Sequence, residues 1–96
     1  MINKKEFQVS ENTLNLKRAI DSLREELDAV DLYNQRADVC TDKNLKKILV
    51  HNANEEKEHA AMLIEWIRQN DKHFAKEFRD YLFAETKDLT ALEAKH

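Results

Sequence analysis

Apolar residues recur at steps of three and four through the first half of the chain, beginning after Ser10. The positions with this spacing are Ala19, Ile20, Leu23, Leu27, Val30, Tyr33 and Ala37. Such steps keep side chains on one face of an α-helix, and Ser10 is a residue type that caps helix N-termini. The pattern predicts a first helix over about residues 11–39.

A second apolar pattern starts after the segment CTD, residues 40–42, and continues to Asn70. Its members are Leu45, Ile48, Leu49, Ala60, Leu63, Trp66 and Ile67. Thr41 is the expected N-cap of a second helix over about residues 42–70. Because the connection is so short, the two helices are predicted to form an antiparallel hairpin.

A shorter aromatic stripe follows the second helix. Its members are Phe74, Phe78, Tyr81 and Leu82, and they predict a third helix over about residues 71–84. The remaining segment, ETKDLTALEAKH at 85–96, is expected to be a flexible tail. At this length, and without an internal repeat, residues 1–96 are treated as one domain.

The composition favours long helices and no sheet. The chain contains neither glycine nor proline, and 36% of its residues are charged while 42% are hydrophobic. Each long helix has an apolar stripe too wide for a single neighbour to cover. The predicted fold class is therefore all-α: an antiparallel two-helix hairpin with a short third helix, forming four-helix bundles by homodimerisation.

The charge pattern and the cysteine content exclude several classes of function. The net charge is -3 with the two signs interspersed, so nucleic acid is not an expected partner. The sequence has no apolar run long enough for a membrane span, and MINKKEFQVSENT lacks the apolar core of a signal peptide. A single cysteine, Cys40, cannot form an intrachain disulfide. We expect a cytoplasmic protein with no membrane partner.

Polar residues interrupt the apolar stripe of both long helices near their middles. Glu26 interrupts the first stripe, and Asn52, Glu56 and His59 interrupt the second. Glu26 lies fifteen residues before Thr41 and Glu56 fifteen after it, so both stand about 22 Å from the turn. The two carboxylates are therefore expected to meet, with His59 on the same helix face as Glu56.

Two carboxylates in an apolar bundle need a compensating cation, and neither stripe contains a lysine or an arginine. One Glu plus a Glu-x-x-His motif is half of the ligand set of a di-iron carboxylate bundle. A second copy related by a two-fold axis would supply the other half. The four carboxylates would balance two divalent ions, and oxygen with imidazole ligands suits iron or manganese.

A metal-free alternative remains open for the same residues. Asn52, Glu56 and His59 would then form a buried hydrogen-bonded layer that sets the helix register. The Glu-x-x-His spacing alone is weak, since it also occurs by chance at Glu93–His96, where no apolar stripe surrounds it. The Glu56–His59 motif is more significant, because it lies on the apolar stripe and because Glu56 stands at the same height above the turn as Glu26.

Further polar residues lie close to this predicted centre. One group on another face of the second helix comprises His51, Glu55 and Glu58; Glu25 and Asp28 lie beside the first-helix carboxylate. Such clusters are most often a solvated helix face, although they can also bind or guide cations. Tyr33 is either part of the core or a hydrogen-bond donor to the centre.

Three segments resemble the encapsulated ferritins, the ferritin-like cargo proteins of encapsulin nanocompartments. They are EELDAVDLYNQRAD, HNANEEKEHAAMLIEWIRQND and YLFAE, and the similarity extends over about residues 12–93. The resemblance implies a two-helix ferritin-like subunit with a short third helix, assembled as a ring-shaped homodecamer. It also implies a location in the cytoplasm within an encapsulin shell.

The resemblance further implies roles for individual residues. A ferroxidase centre between two subunits would use Glu26, Glu56 and His59 of each chain, with Tyr33 nearby as a catalytic residue. A metal-access site would use Glu25 and Asp28, an outer site would use His51, Glu55 and Glu58, and secondary sites would take divalent cations such as calcium. The chain departs from the family at Asp28, where relatives have Glu, and at Leu32, where they have Trp. It also ends at His96 without the family's targeting peptide.

The leading hypothesis is a ferroxidase that uses dioxygen or peroxide to oxidise Fe(II), with iron as its metal and mineral storage inside the shell. Two alternatives stay open. One is a metal-free helical oligomerisation scaffold, and the other is a dimetal protein that uses manganese or peroxide chemistry.

Overall fold

The computed structural model describes residues 9–95, and α-helices dominate them. The helices are α1 Glu11–Val39, α2 Lys43–Asn70, α3 Lys72–Tyr81 and α4 Thr90–Glu93. The helices α1 and α2 pack along each other, and α3 packs against α2. No strand occurs within the described residues, so the predicted all-α class is confirmed.

The caps of the two long helices explain where they begin. The Ser10 side chain accepts a hydrogen bond from the Thr13 N–H at 3.2 Å, as its residue type predicts. The predicted cap of α2 at Thr41 is wrong. Asp42 takes that position, and its carboxylate accepts from the Leu45 N–H at 2.8 Å. The helix therefore begins one residue later than the pattern predicts.

Replacing Asp42 with alanine is expected to lower the free energy of unfolding by about 1 kcal/mol, because the Leu45 N–H loses its acceptor. Replacing the adjacent Thr41 is the matched control and is expected to stay within about 0.5 kcal/mol. Urea denaturation of both variants measures the difference. Equal losses at the two positions would contradict the cap assignment.

The interface between α1 and α2 is built mainly from alanine. The buried apolar residues among the described ones are Ala19, Ala37, Ala53, Ala60 and Ile67. Small side chains let the two helix backbones approach closely, but they bury little apolar area. Larger side chains remain open to solvent, including Leu27 at 52% and Ile48 at 57% exposure. One hairpin alone therefore does not enclose a core.

The C-terminal part of the chain corrects two predictions. The third helix, expected over 71–84, ends at Tyr81, and Phe83 follows with φ of 59°, a left-handed conformation that a helix does not continue through. The expected flexible tail contains α4. Thr90 Oγ1 donates to the carboxylate of Asp88 at 2.6 Å, which fixes the turn where α4 begins. His96 lies outside the described residues, and the Glu-x-x-His spacing that ends there lies outside them too.

In the described part of the chain, none of the helices has the combination of length and apolarity that crossing a bilayer requires.

Candidate metal centre

The structure brings together Glu26 of α1 with Glu56 and His59 of α2. One ligand atom from each of these residues lies within 4.8 Å of the other two, and no other group of three such side chains does so within residues 9–95. His59 Nδ1 is 3.4 Å from Glu26 Oε2 and 3.5 Å from Glu56 Oε2. The three residues therefore form one cluster in the middle of the hairpin.

The local sequence explains why these side chains meet. Glu56 lies between two buried alanines of α2, Ala53 and Ala60, which allow α1 to come close at this level. His59 follows Glu56 by one helical turn and shares its face. The side chains of Glu26 and Glu56 are each 25% exposed, and that of His59 is 44% exposed. The cluster is thus closed by the hairpin on one side and open on the other.

Glu26 has an acceptor atom without a well-formed hydrogen bond. Its Oε2 is shielded from solvent and has no partner with hydrogen-bond geometry among the described residues, although His59 Nδ1 lies 3.4 Å away. The hydrogen bond and charge of the adjacent Glu56 carboxyl, together with burial, raise the pKa of Glu26 above its ordinary value. A buried oxygen in this situation is costly unless a cation or a proton compensates it.

The only basic partner of these two carboxylates among the described residues is His59. Burial lowers the pKa of the His59 imidazole, but the negative charges of Glu26 and Glu56 outweigh burial and raise it overall. The imidazole therefore favours its protonated form beside the carboxylates. A divalent metal ion would supply two positive charges in place of this one and would use the deprotonated imidazole nitrogen as a ligand.

The donor set fits a first-row divalent metal. Two carboxylates and one imidazole provide hard oxygen and borderline nitrogen ligands, which suit iron or manganese better than a thiolate-binding metal. The unpartnered oxygen of Glu26 is a free ligand position. One chain supplies three ligand residues, which is half of the set that a dimetal carboxylate centre uses.

Tyr33 lies on α1 seven residues beyond Glu26, about 10 Å further along the helix axis. It does not belong to the three-residue cluster. Its half-buried ring has the guanidinium carbon of Arg36 at 5.9 Å from the ring centroid, within the range of a cation–π contact. A catalytic role for Tyr33 stays a prediction.

The two secondary clusters lie on exposed surfaces. His51 Nε2 is 3.7 Å from Glu55 Oε1 one turn along α2, whereas Glu58 lies near Met62 and Trp66 in an outward groove. Glu25 and Asp28 are exposed on α1; neither cluster brings three donors together within the described chain. The outer site and the metal-access site stay predictions.

The sequence interpretation did not consider Glu65, a carboxylate near the outward groove. Arg68 donates to both of its oxygens, at 2.6 Å from Nε and 2.8 Å from a terminal nitrogen, and Gln69 donates at 2.8 Å. The Arg68 and Gln69 hydrogen bonds lower the pKa of Glu65 to about 2. Arg68 and Gln69 follow Glu65 by three and four residues, and this helical spacing would have predicted their contacts with Glu65. Its oxygens are already engaged, so Glu65 is no metal-ligand candidate.

The chain is similar to several known proteins. Residues 1–85 match the model of a family described as EncFtn-like. The encapsulated ferritin-like protein of Rhodospirillum rubrum is 55% identical over 86 residues, which cover 90% of this chain and 61% of that protein. A ferritin-like-encapsulin shell fusion protein of Pyrococcus furiosus is 33% identical, and the match covers 98% of this chain and 26% of the fusion. This chain therefore spans less than two thirds of these curated relatives.

The fold also has a close experimental counterpart. A crystal structure of a Nitrosomonas europaea protein superposes with a TM-score of 0.82 at 56% identity. The match covers 92% of this chain and 96% of that chain. The helical arrangement that positions the three-residue cluster is thus shared over almost the whole length.

Proposed function

Because this chain belongs to the EncFtn-like family and has a ferritin-like fold, we propose that it oxidises Fe(II) to Fe(III) at a centre shared by two copies. The observation that carries the proposal is the cluster of Glu26, Glu56 and His59 with its unpartnered Glu26 oxygen. Iron is the substrate of this reaction, and the family places the chain among ferritin-like proteins.

The second copy completes the ligand set. The cluster is open on one side, and a two-fold axis beside that side would bring the same three residues of a partner opposite. The result is four carboxylates and two imidazoles around two metal positions. Four negative charges then balance two Fe(II) ions. A ring-shaped homodecamer is proposed on the family resemblance.

The residues of the chain contribute binding, charge and orientation to the oxidation. The carboxylates of Glu26 and Glu56 and the imidazole of His59 hold the substrate ions in a site with little water. Two Fe(II) ions each lose one electron. These two electrons and two protons convert one dioxygen to hydrogen peroxide, or one hydrogen peroxide to two water molecules. The metal charge rises from +4 to +6 against four carboxylates, an excess of two positive charges that deprotonation of water to a hydroxide or oxide bridge would neutralise before the product leaves.

Residues outside the three-residue cluster have proposed roles along the path of the metal. Glu25 and Asp28 are proposed to attract Fe(II) towards the centre, and Tyr33 is proposed to act near it. The outer cluster of His51, Glu55 and Glu58 is proposed as a secondary site for divalent cations, including calcium. Their exposure and their acidic or imidazole donors support these assignments.

An encapsulin shell is the proposed partner and location. One relative is named as encapsulated, and another is named as a fusion with an encapsulin shell. We propose that this chain works in the cytoplasm inside such a shell, which would retain the oxidised iron as mineral.

Zinc is expected to inhibit the oxidation, since Zn(II) takes the same oxygen and imidazole ligands but gives up no electron. Aerobic Fe(II) oxidation is followed by the absorbance of the Fe(III) product, with and without prior addition of one Zn(II) per chain. The rate with protein should exceed that in buffer and fall back towards it with zinc. A rate equal to that of buffer would refute the proposed function in favour of a metal-free scaffold, and an enhanced rate unaffected by zinc would contradict oxidation at the carboxylate and imidazole centre.

A further inference from the structure

Asn52 interrupts the apolar stripe of α2 but does not belong to the three-residue cluster. Because an α-helix turns by about 100° per residue, Asn52 points within about 40° of the direction of both Glu56 and His59. It therefore lies on the same face of α2 as the cluster, one turn closer to the hairpin connection. The carboxamide is thus next to the cluster, although it is not one of the proposed ligands.

The Asn52 carboxamide has no hydrogen-bond partner within the described part of the chain, although the residue is half-buried. Two other asparagines of α2 do have partners. Lys57 Nζ donates to Asn54 Oδ1 at 3.3 Å, and Asn70 Nδ2 donates to the Trp66 carbonyl at 2.9 Å. An amide without a partner in an apolar stripe stabilises a fold less than an aliphatic side chain would. The fold of one chain therefore does not explain asparagine at position 52.

The carboxylate of Glu56 lies within reach of this carboxamide. Side chains four residues apart are neighbours on a helix surface, and each side chain leans over the preceding turn, so that of Glu56 extends towards Asn52. The four positions three or four residues from Glu56 are Asn52, Ala53, His59 and Ala60. Only Asn52 and His59 among these carry a side-chain N–H. The two donors thus stand on either side of the Glu56 carboxylate along the helix.

Metal binding changes which of the two donors is available to Glu56. His59 Nδ1 lies 3.5 Å from Glu56 Oε2 in the chain as it stands. A nitrogen that ligates a metal ion carries no proton, so it cannot donate a hydrogen bond. Carboxylate ligands are generally held by hydrogen bonds from neighbouring groups. With His59 engaged as a ligand, Asn52 is the remaining N–H donor at helical spacing from Glu56.

We propose that Asn52 is a positioning residue of the metal centre: its Nδ2–H donates to the Glu56 carboxylate and holds it in the rotamer that receives the ion. This inference rests on the proposed function only for the identity of the ion. It predicts two effects of opposite sign for an apolar residue at position 52. Such a residue continues the stripe of Leu49 and Leu63 and stabilises the metal-free protein, but it leaves Glu56 free to rotate and weakens metal binding.

Asn52→Leu tests both effects. Its dissociation constant for Mn(II), measured by isothermal titration calorimetry, is expected to rise at least about tenfold, and its rate of Fe(II) oxidation to fall by a similar factor. Its melting temperature in chelator should be no lower than that of the wild type. Asn54→Leu is the matched control, because Asn54 is an exposed asparagine on another face of the same helix. Its Mn(II) affinity should equal that of the wild type.

Asn52→Gln retains a carboxamide N–H and is expected to recover most of the Mn(II) affinity. A wild-type dissociation constant in Asn52→Leu, or a loss that Asn52→Gln shares in full, would overturn the inference. A changed assembly mass in Asn52→Leu, measured by analytical ultracentrifugation, would assign Asn52 to the register of the helices instead and would also overturn it. The proposed function fails separately: a wild-type protein whose Mn(II) affinity depends on Asn52 but which does not oxidise Fe(II) would refute oxidation and keep the positioning role.

Discussion

Replacing Glu56 with alanine is expected to lower the rate of Fe(II) oxidation by at least about tenfold, since even residues that support metal ligands have effects of this size. In a symmetric dimer both chains carry the substitution, so the shared centre loses two ligands. Glu26→Ala and His59→Ala are expected to cause losses of similar size. Initial rates of Fe(III) formation, with the assembly mass measured alongside, provide the test.

Glu65→Gln is the matched control for this series. It also changes a carboxylate of α2, but Arg68 and Gln69 already engage the Glu65 oxygens. Its oxidation rate should equal that of the wild type. Wild-type rates in all three centre variants would show that Glu26, Glu56 and His59 do not form the reactive site.

Metal binding is expected to stabilise the protein strongly. The Glu26 oxygen without a partner and the adjacent Glu56 carboxylate both gain a favourable interaction when a cation arrives. A ligand that binds only the folded state at one hundred times its Kd adds about 2.7 kcal/mol to the free energy of unfolding. Thermal unfolding with Mn(II), compared with chelator, is expected to show this rise.

His59→Ala separates specific stabilisation from general ion effects. The variant keeps the overall helix pattern but loses the imidazole ligand, so its melting temperature should respond little to Mn(II). A metal-free scaffold would show the same melting temperature with Mn(II) and with chelator in both proteins. An equal rise in both would place the bound metal elsewhere, and the exposed cluster at His51 and Glu55 would then be the next position to test.

Much of the fold follows from hydrophobic spacing because two long helices with continuous apolar stripes have few other arrangements. The residues at which the helices begin and end depend on the conformation of single backbone positions and single side chains. Both Thr41 and Asp42 are suitable caps, and only the geometry of the turn selects Asp42. The early end of α3 reflects the extended backbone of Leu82 and the left-handed backbone of Phe83 after it, residue types that give no such signal in the sequence.

The three-residue cluster could be predicted from the sequence for a simple reason. Glu26 and Glu56 are equally distant from one tight turn, so the antiparallel arrangement brings them to the same level. The positions of Tyr33 and of the exposed clusters depend on rotamers and on neighbouring copies, which helical spacing does not determine.

The most direct test of the shared metal centre is anomalous diffraction from crystals grown with Mn(II), a redox-stable substitute for Fe(II). The account predicts two metal ions across a two-fold axis, bound by Glu26, Glu56 and His59 from each of two chains. Absence of metal at these residues, or a single ion bound by one chain alone, would contradict it.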